Sequence, residues 1–168
     1  MNLLVKVGDV LDEPTDVLIC PANPWLNLSG GVNGEILRRG GESIQNELQS
    51  YLQSVGRPAV EAGTVVRTGP GPLPAKDILH VVAIDPFYGS SVDLVRRTLE
   101  TAFALAQSLG ASKVSMPMVA TGYGPLDARQ FSGALASIFT RDWAPVEEVI
   151  VVVRCDEDAE IVRNSVAD

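Results

Sequence analysis

Residues 16–39 read DVLICPANPWLNLSGGVNGEILRR, and this stretch decides the fold. Its first part, DVLIC at 16–20, is an apolar run without polar alternation, the pattern of a strand covered on both faces. A loop with Asn23, Trp25, Ser29, Gly30 and Gly31 follows, and GVNGEILRR at 31–39 predicts a short helix entered through glycines. Glycines ahead of a helix N-terminus let the backbone come close to a bound anion, and the unpaired N–H groups there point at it. For Gly30 and Gly31 alone, a plain turn is the simpler reading. Asn23 adds weight to a site, because an amide in a long loop after a buried strand can grip a ribose hydroxyl or a reacting water. Trp25 is expected as an apolar plug beneath the loop.

Outward from this stretch, short apolar runs alternate with helical spacing. MNLLVKV at 1–7, TVVRT at 64–68, ILHVVAI at 78–84, KVSMPM at 113–118 and EVIVVV at 148–153 read as further strands. Ile44, Leu48, Tyr51, Leu52 and Val55 share one helix face, as do Val95, Leu99, Ala102, Phe103, Ala106 and Leu109. Phe131, Leu135, Ile138 and Phe139 mark another helix, with Asp127 and Gln130 spaced as a cap and its capping-box partner. DEDAEIVRNSV near the end predicts a last, more exposed helix, and GPGPLP at 69–74 a turn between strands. Strands mixed with helices in this order predict an α/β layered sheet in one domain, residues 1–168.

Composition narrows the partners. Asp plus Glu number 21 against 13 Lys plus Arg, a formal charge of −8, and no basic run is present. Such a chain repels a phosphate backbone at long range, so nucleic acid is disfavoured. A nucleotide-sized anion remains compatible, because backbone N–H groups hold phosphate without Lys or Arg. Cys20, Cys155 and the single His80 do not make an ordinary zinc site, and unpaired thiols fit a reduced, cytoplasmic protein. The expectation is no metal, no cofactor and no membrane: VIVVV at 149–153 is far too short to span a bilayer.

A second stretch repeats the first pattern. MPMVATGYGPLDARQF, 116–131, again runs from strand to glycine loop to capped helix, with Thr121, Gly122, Tyr123 and Gly124 at the turn. In open α/β sheets ligands sit at the carboxyl ends of strands, and two facing backbone cradles suit a diphosphate. Tyr123 reads equally as a surface cover for the loop and as a ligand contact.

Four ordered segments resemble the macro domain, the ADP-ribose-binding module. Gly8-Asp9-Val10 is similar to the family's Gly-Asp-Ile, and Ala22-Asn23 with Ser29-Gly30-Gly31-Val32-Asn33-Gly34 is similar to its Asn-Ala-Ala-Asn and Gly-Gly-Gly-Val-Asp-Gly segments. Ala62-Gly63-Thr64 and Leu73-Pro74-Ala75-Lys76, leading to His80, resemble its strand pair. Pro117 and Ala120-Thr121-Gly122-Tyr123-Gly124 resemble its phosphate loop. The resemblance implies a three-layer α/β/α sandwich with a mixed six-stranded sheet. It implies binding of ADP-ribose, free or carried by an ADP-ribosylated protein.

It also implies roles. Asp9 would accept from the adenine amino group and Val10 would offer its N–H to the ring. Asn23 would hold the distal ribose. Ser29, Gly30, Gly31 and Val32 would wrap the diphosphate from one side, and Thr121, Gly122, Tyr123 and Gly124 from the other. Lys76 and His80 read as structural. Cys20 replaces the first Asn of the loop pattern, Ser29 one of its glycines, and Asn33 the Asp that hydrolysing relatives carry. The second loop is one residue short, and Arg154-Cys155 stands where an aromatic often follows the last strand. A neutral amide cannot take a proton from water as a carboxylate can. Asn33 therefore favours a binder, with Asn23 and Asn33 as the candidate catalytic pair of the alternative, a slow ADP-ribosyl hydrolase or O-acetyl-ADP-ribose deacetylase. Glu35, on the first turn of the helix, reads as a helix-dipole residue.

Overall fold

The computed structural model describes residues 1–167. The chain opens with β1 (Asn2–Val7), a 3₁₀ turn at Val10–Asp12, and β2 (Val17–Pro21). Helices α1 (Gly31–Gly40) and α2 (Glu42–Val55) lead to β3 (Val65–Thr68) and β4 (Asp77–Val81). Then come α3 (Val92–Ser108), β5 (Lys113–Met116), α4 (Ala128–Ala136) with a 3₁₀ segment at Ser137–Thr140, β6 (Glu148–Val153) and α5 (Asp156–Ala167). The strands form one six-stranded sheet in the order β1-β6-β5-β2-β4-β3. Every pair is parallel except β3–β4, so the sheet is mixed, as expected.

Strand alternation sorts the core into two halves. Val17, Ile19, Leu79, Val81, Val149, Val151 and Val153 face α3, α4 and α5. Leu18, Cys20, Ile78, Ile150 and Val152 face α1 and α2, where Ile36, Ile44, Leu48 and Leu52 cover them. Successive side chains of a strand point to opposite faces, so strands without polar alternation need helices on both. The result is the three-layer α/β/α sandwich.

Several boundaries differ from the sequence pattern. The run expected as strand to residue 118 leaves the sheet at Met116, because Pro117 has no N–H for a ladder. The run at 78–84 leaves it at Val81. The helix expected to reach Phe139 tightens into a 3₁₀ segment after Ala136. Its N-terminus is as expected: Asp127 accepts from Gln130 N, and the Gln130 side chain accepts from Asp127 N.

Lys76 and His80 hold the sheet together. The Asp16 carboxylate accepts from Ser112 N at 2.9 Å and Lys113 N at 3.0 Å, and pairs with Lys76 Nζ at 2.9 Å. This ties the N-terminal ends of β2, β4 and β5. The hydrogen bond from Lys76, with the backbone donors, lowers the Asp16 pKa from 3.8 to about 2. His80 is fully buried on β4, its Nε2 2.9 Å from Thr68 Oγ1 on β3. Burial pushes its pKa down from 6.5 to about 4, which keeps the ring neutral.

Candidate ligand-binding cleft

The C-terminal ends of β1, β6, β5, β2 and β4 open into one cleft of about 530 Å³. That size is within the usual range for a small-ligand site, roughly 300–1,000 Å³. Three loops build its walls.

The loop from β2 to α1 is anchored from below. Leu26 and Leu28 are its buried plugs, whereas Trp25, expected in that role, is only half-buried. The Gln45 side chain on α2 donates to Leu26 O at 3.0 Å and accepts from Leu28 N at 2.8 Å. Asn23 braces the same loop: its amide donates to Asn27 O at 3.0 Å and accepts from Asn27 N at 3.2 Å. Gly30 is the N-cap of α1 with φ +67°, in the left-handed region where a side chain is strained. A Cβ there would also run into the Tyr123 hydroxyl. The loop from β5 to α4 thus reaches across and covers Gly30.

That second loop is closed by Leu126 N donating to Ala120 O at 3.0 Å, and then by the capping box of α4. A Cβ at Gly124 would stand 2.5 Å from Ala120 O, so Gly124 serves the turn. A Cβ at Gly122 would meet nothing within 4 Å, because Gly122 borders the open cleft.

The third loop, from β4 to α3, was not singled out by the sequence. The Asp85 carboxylate accepts from Phe87 N and Gly89 N, each at 2.8 Å. Ser90 Oγ donates to Ala83 O at 2.6 Å. This turn puts Tyr88 on the cleft wall, 6.5 Å from the Tyr123 ring between centroids. The available signal was a turn-forming Asp-Pro directly after a buried strand, carrying Phe87 and Tyr88.

Leu26, Tyr88 and Ala120 have φ +55°, +62° and +62°, one in each loop. Left-handed non-glycine residues cost about 1–3 kcal/mol each and cluster where a site needs a fixed shape. Here all three lie at the mouths of adjacent strands.

Val10, after β1, and Asn23, Ser29, Gly30, Gly31, Val32 and Asn33, after β2, line the cleft. Thr121, Gly122, Tyr123 and Gly124, after β5, line it as well. Asp9 is not on the wall: it caps the 3₁₀ turn by accepting from Leu11 N at 2.9 Å and lies 3.3 Å from Arg39 Nη1. Arg154 and Asp158, at the β6 end, are the cleft's one cation and one carboxylate among the described residues.

Residues 19–132 match the Macro domain family. The chain belongs to the macro domain family. A Streptomyces griseus protein described as macro domain-containing is 34% identical over 87% of this chain and 84% of its own. A Klebsiella pneumoniae protein named O-acetyl-ADP-ribose deacetylase is 29% identical, covering 97% of this chain and 95% of its own. The Oceanobacillus iheyensis macrodomain solved with ADP superposes with a TM-score of 0.87 at 24% identity, over 98% of this chain and 90% of that one. A variant of that macrodomain, solved with ADPR, gives 0.86 at 23% over 98% and 91%.

In this macro domain the reactive inventory of the cleft is sparse. The Cys20 thiol beneath it is fully buried, and burial raises its pKa far above the usual range, so it is no nucleophile. Glu35 is paired with Arg38 at 2.7 Å, on the exposed side of α1. Asn33 Oδ1 is buried without a hydrogen-bond partner. A buried acceptor left open in a site is a place for a ligand hydroxyl or a water.

Proposed function

We propose that the cleft binds ADP-ribose, free or carried by an ADP-ribosylated protein. The observation that carries this reading is the pair of backbone cradles, Ser29–Val32 and Thr121–Gly124, facing each other with Tyr123 over Gly30. A helix N-terminus reached through glycines supplies N–H donors and a positive dipole end to an anion without a cationic side chain. Such an arrangement suits a net-acidic chain that holds a diphosphate. The family resemblance suggests the ligand's direction along the strand order. In it the adenosine would lie at the β1/β6 end beside Val10, the diphosphate between the two cradles, and the distal ribose at the β2/β4 end beside Asn23, Asn33 and Tyr88. In this reading Asp9 shares its carboxylate between Arg39, the turn and the adenine amine. The relatives support the ligand class, since the superposed macrodomain was solved with ADP and, as a variant, with ADPR.

A second reading is slow hydrolysis of an ester on the distal ribose, of O-acetyl-ADP-ribose or of an ADP-ribosylated carboxylate. The name of the Klebsiella relative favours it. Asn33 is the observation in the cleft that bears on it: its free carbonyl oxygen can orient a water, although it cannot take the proton. Among the described residues the wall's single carboxylate is Asp158, on α5 just after β6. The binding reading is therefore preferred, in a reduced, cytoplasmic setting that two free cysteines support.

A thermal-shift titration tests the binding reading. Ligand that binds only the folded state stabilises by mass action, about 2.7 kcal/mol at a hundredfold excess over Kd. ADP-ribose should raise the melting temperature in a dose-dependent way; no shift at millimolar ligand contradicts the reading.

A further inference from the structure

The loop Asp85–Gly89 holds an aromatic side chain in water by design of its backbone. Phe87 is 92% exposed; its chain neighbour Tyr88, and Tyr123 against Tyr88, are 48% and 69% exposed. Phe87 is not left outside by disorder of a turn: the Asp85 carboxylate takes both Phe87 N and Gly89 N, and Tyr88 N donates to Asp85 O at 3.0 Å. Tyr88 adopts its left-handed conformation to complete the turn. Exposed aromatics gathered at one rim, on a strained and hydrogen-bonded support, mark a contact surface rather than a solvated loop.

The position of this rim identifies its occupant. Tyr88 belongs both to the cleft wall and to the exposed aromatic group, so the two surfaces are continuous. They meet at the β4 end of the cleft, where the proposed ADP-ribose presents its distal ribose. In that orientation a carrier attached to the distal ribose would leave the cleft beside Tyr88, the chain neighbour of Phe87. We infer that Phe87, with the outer faces of Tyr88 and Tyr123, docks the polypeptide segment that carries the ADP-ribose, so that the protein favours modified protein over free ADP-ribose. The inference rests on the ADP-ribose reading of the cleft. The formal charge of −8 favours carriers with basic residues flanking the modified side chain.

Phe87→Ala is the discriminating variant, because Phe87 does not line the cleft and supports no core. Two probes are titrated into the full chain: ADP-ribose, and a basic synthetic peptide bearing one ADP-ribose through a non-hydrolysable linkage. Burying an exposed phenyl ring predicts that Phe87→Ala weakens the peptide about fivefold to tenfold and leaves ADP-ribose within about twofold. Phe87→Tyr should retain most of the peptide affinity. Equal weakening of both probes, or no change in either, overturns the inference while the cleft reading stands. A wild-type chain that dimerises, with a Phe87→Ala chain that does not, reassigns the rim to a second copy. A wild-type chain that binds neither probe removes the cleft reading, and this inference with it.

Discussion

At the scale of single residues, the two glycines of the second cradle differ in the room around them. Gly122 and Gly124 are neighbours in one turn, yet only at Gly124 would a Cβ meet backbone. Gly122→Glu is therefore expected to fold with a near-normal melting temperature and to lose ADP-ribose affinity by at least about tenfold, since it adds a negative charge to the wall of the proposed diphosphate cradle. Normal binding by a folded Gly122→Glu protein would remove the phosphate-cradle assignment. Asn33 tests the chemistry. Asn33→Asp keeps the shape and adds a base where the proposed reading puts the distal ribose. It should raise cleavage of an ADP-ribosylated glutamate, by at most about the 10²–10⁴ attributed to a general base. Affinity must be followed alongside the rate, because a carboxylate there repels the diphosphate. A wild type that cleaves rapidly, with no response to Asn33→Asp, would place catalysis elsewhere and defeat the preference for a binder.

At the scale of elements, the cleft depends on helices being started at defined residues. Asp127 and Gln130 close the capping box where the second cradle becomes α4. Asp127→Ala is expected to destabilise the protein by about 1 kcal/mol, roughly 2–4 °C in melting temperature for a chain of this size. An unchanged melting temperature would mean that water replaces the cap without loss. This box was legible in the sequence because capping is local: two side chains, three residues apart, satisfy each other's backbone. The strand runs were legible for a similar reason, since burial on both faces removes polar alternation. What the sequence hid depends on contacts between distant segments. Trp25 was expected beneath its loop, but Gln45 on α2 clamps Leu26 O and Leu28 N, which turns the two leucines inward instead. Asp9 matched its motif, yet Arg39, thirty positions away, engages its carboxylate. Tyr88 became a wall residue only through the Asp85 turn and the approach of Tyr123.

At the scale of the whole molecule, the sheet makes stability depend on pH. His80 has a folded pKa of about 4 against an ordinary 6.5, so between those values the unfolded chain binds the extra proton. Stability from the neutral ring is complete above pH 6.5 and is lost as pH falls towards 4. Asp16 acts lower: its contribution is present above pH 3.8 and is lost as pH falls towards 2. Urea midpoints should therefore fall between pH 6.5 and 4, and His80→Gln should flatten that fall; an identical slope would show that the ring does not carry it. At this scale the strand order brings the loops after β2 and β5, the two proposed cradles, into one cleft. Calorimetric titration with ADP-ribose, beside ADP and AMP, tests that arrangement most directly. A single site should bind ADP-ribose at least about tenfold tighter than AMP, which lacks the second phosphate and the distal ribose, with ADP between them. Equal affinity for ADP-ribose and AMP, or no binding of either, would contradict it.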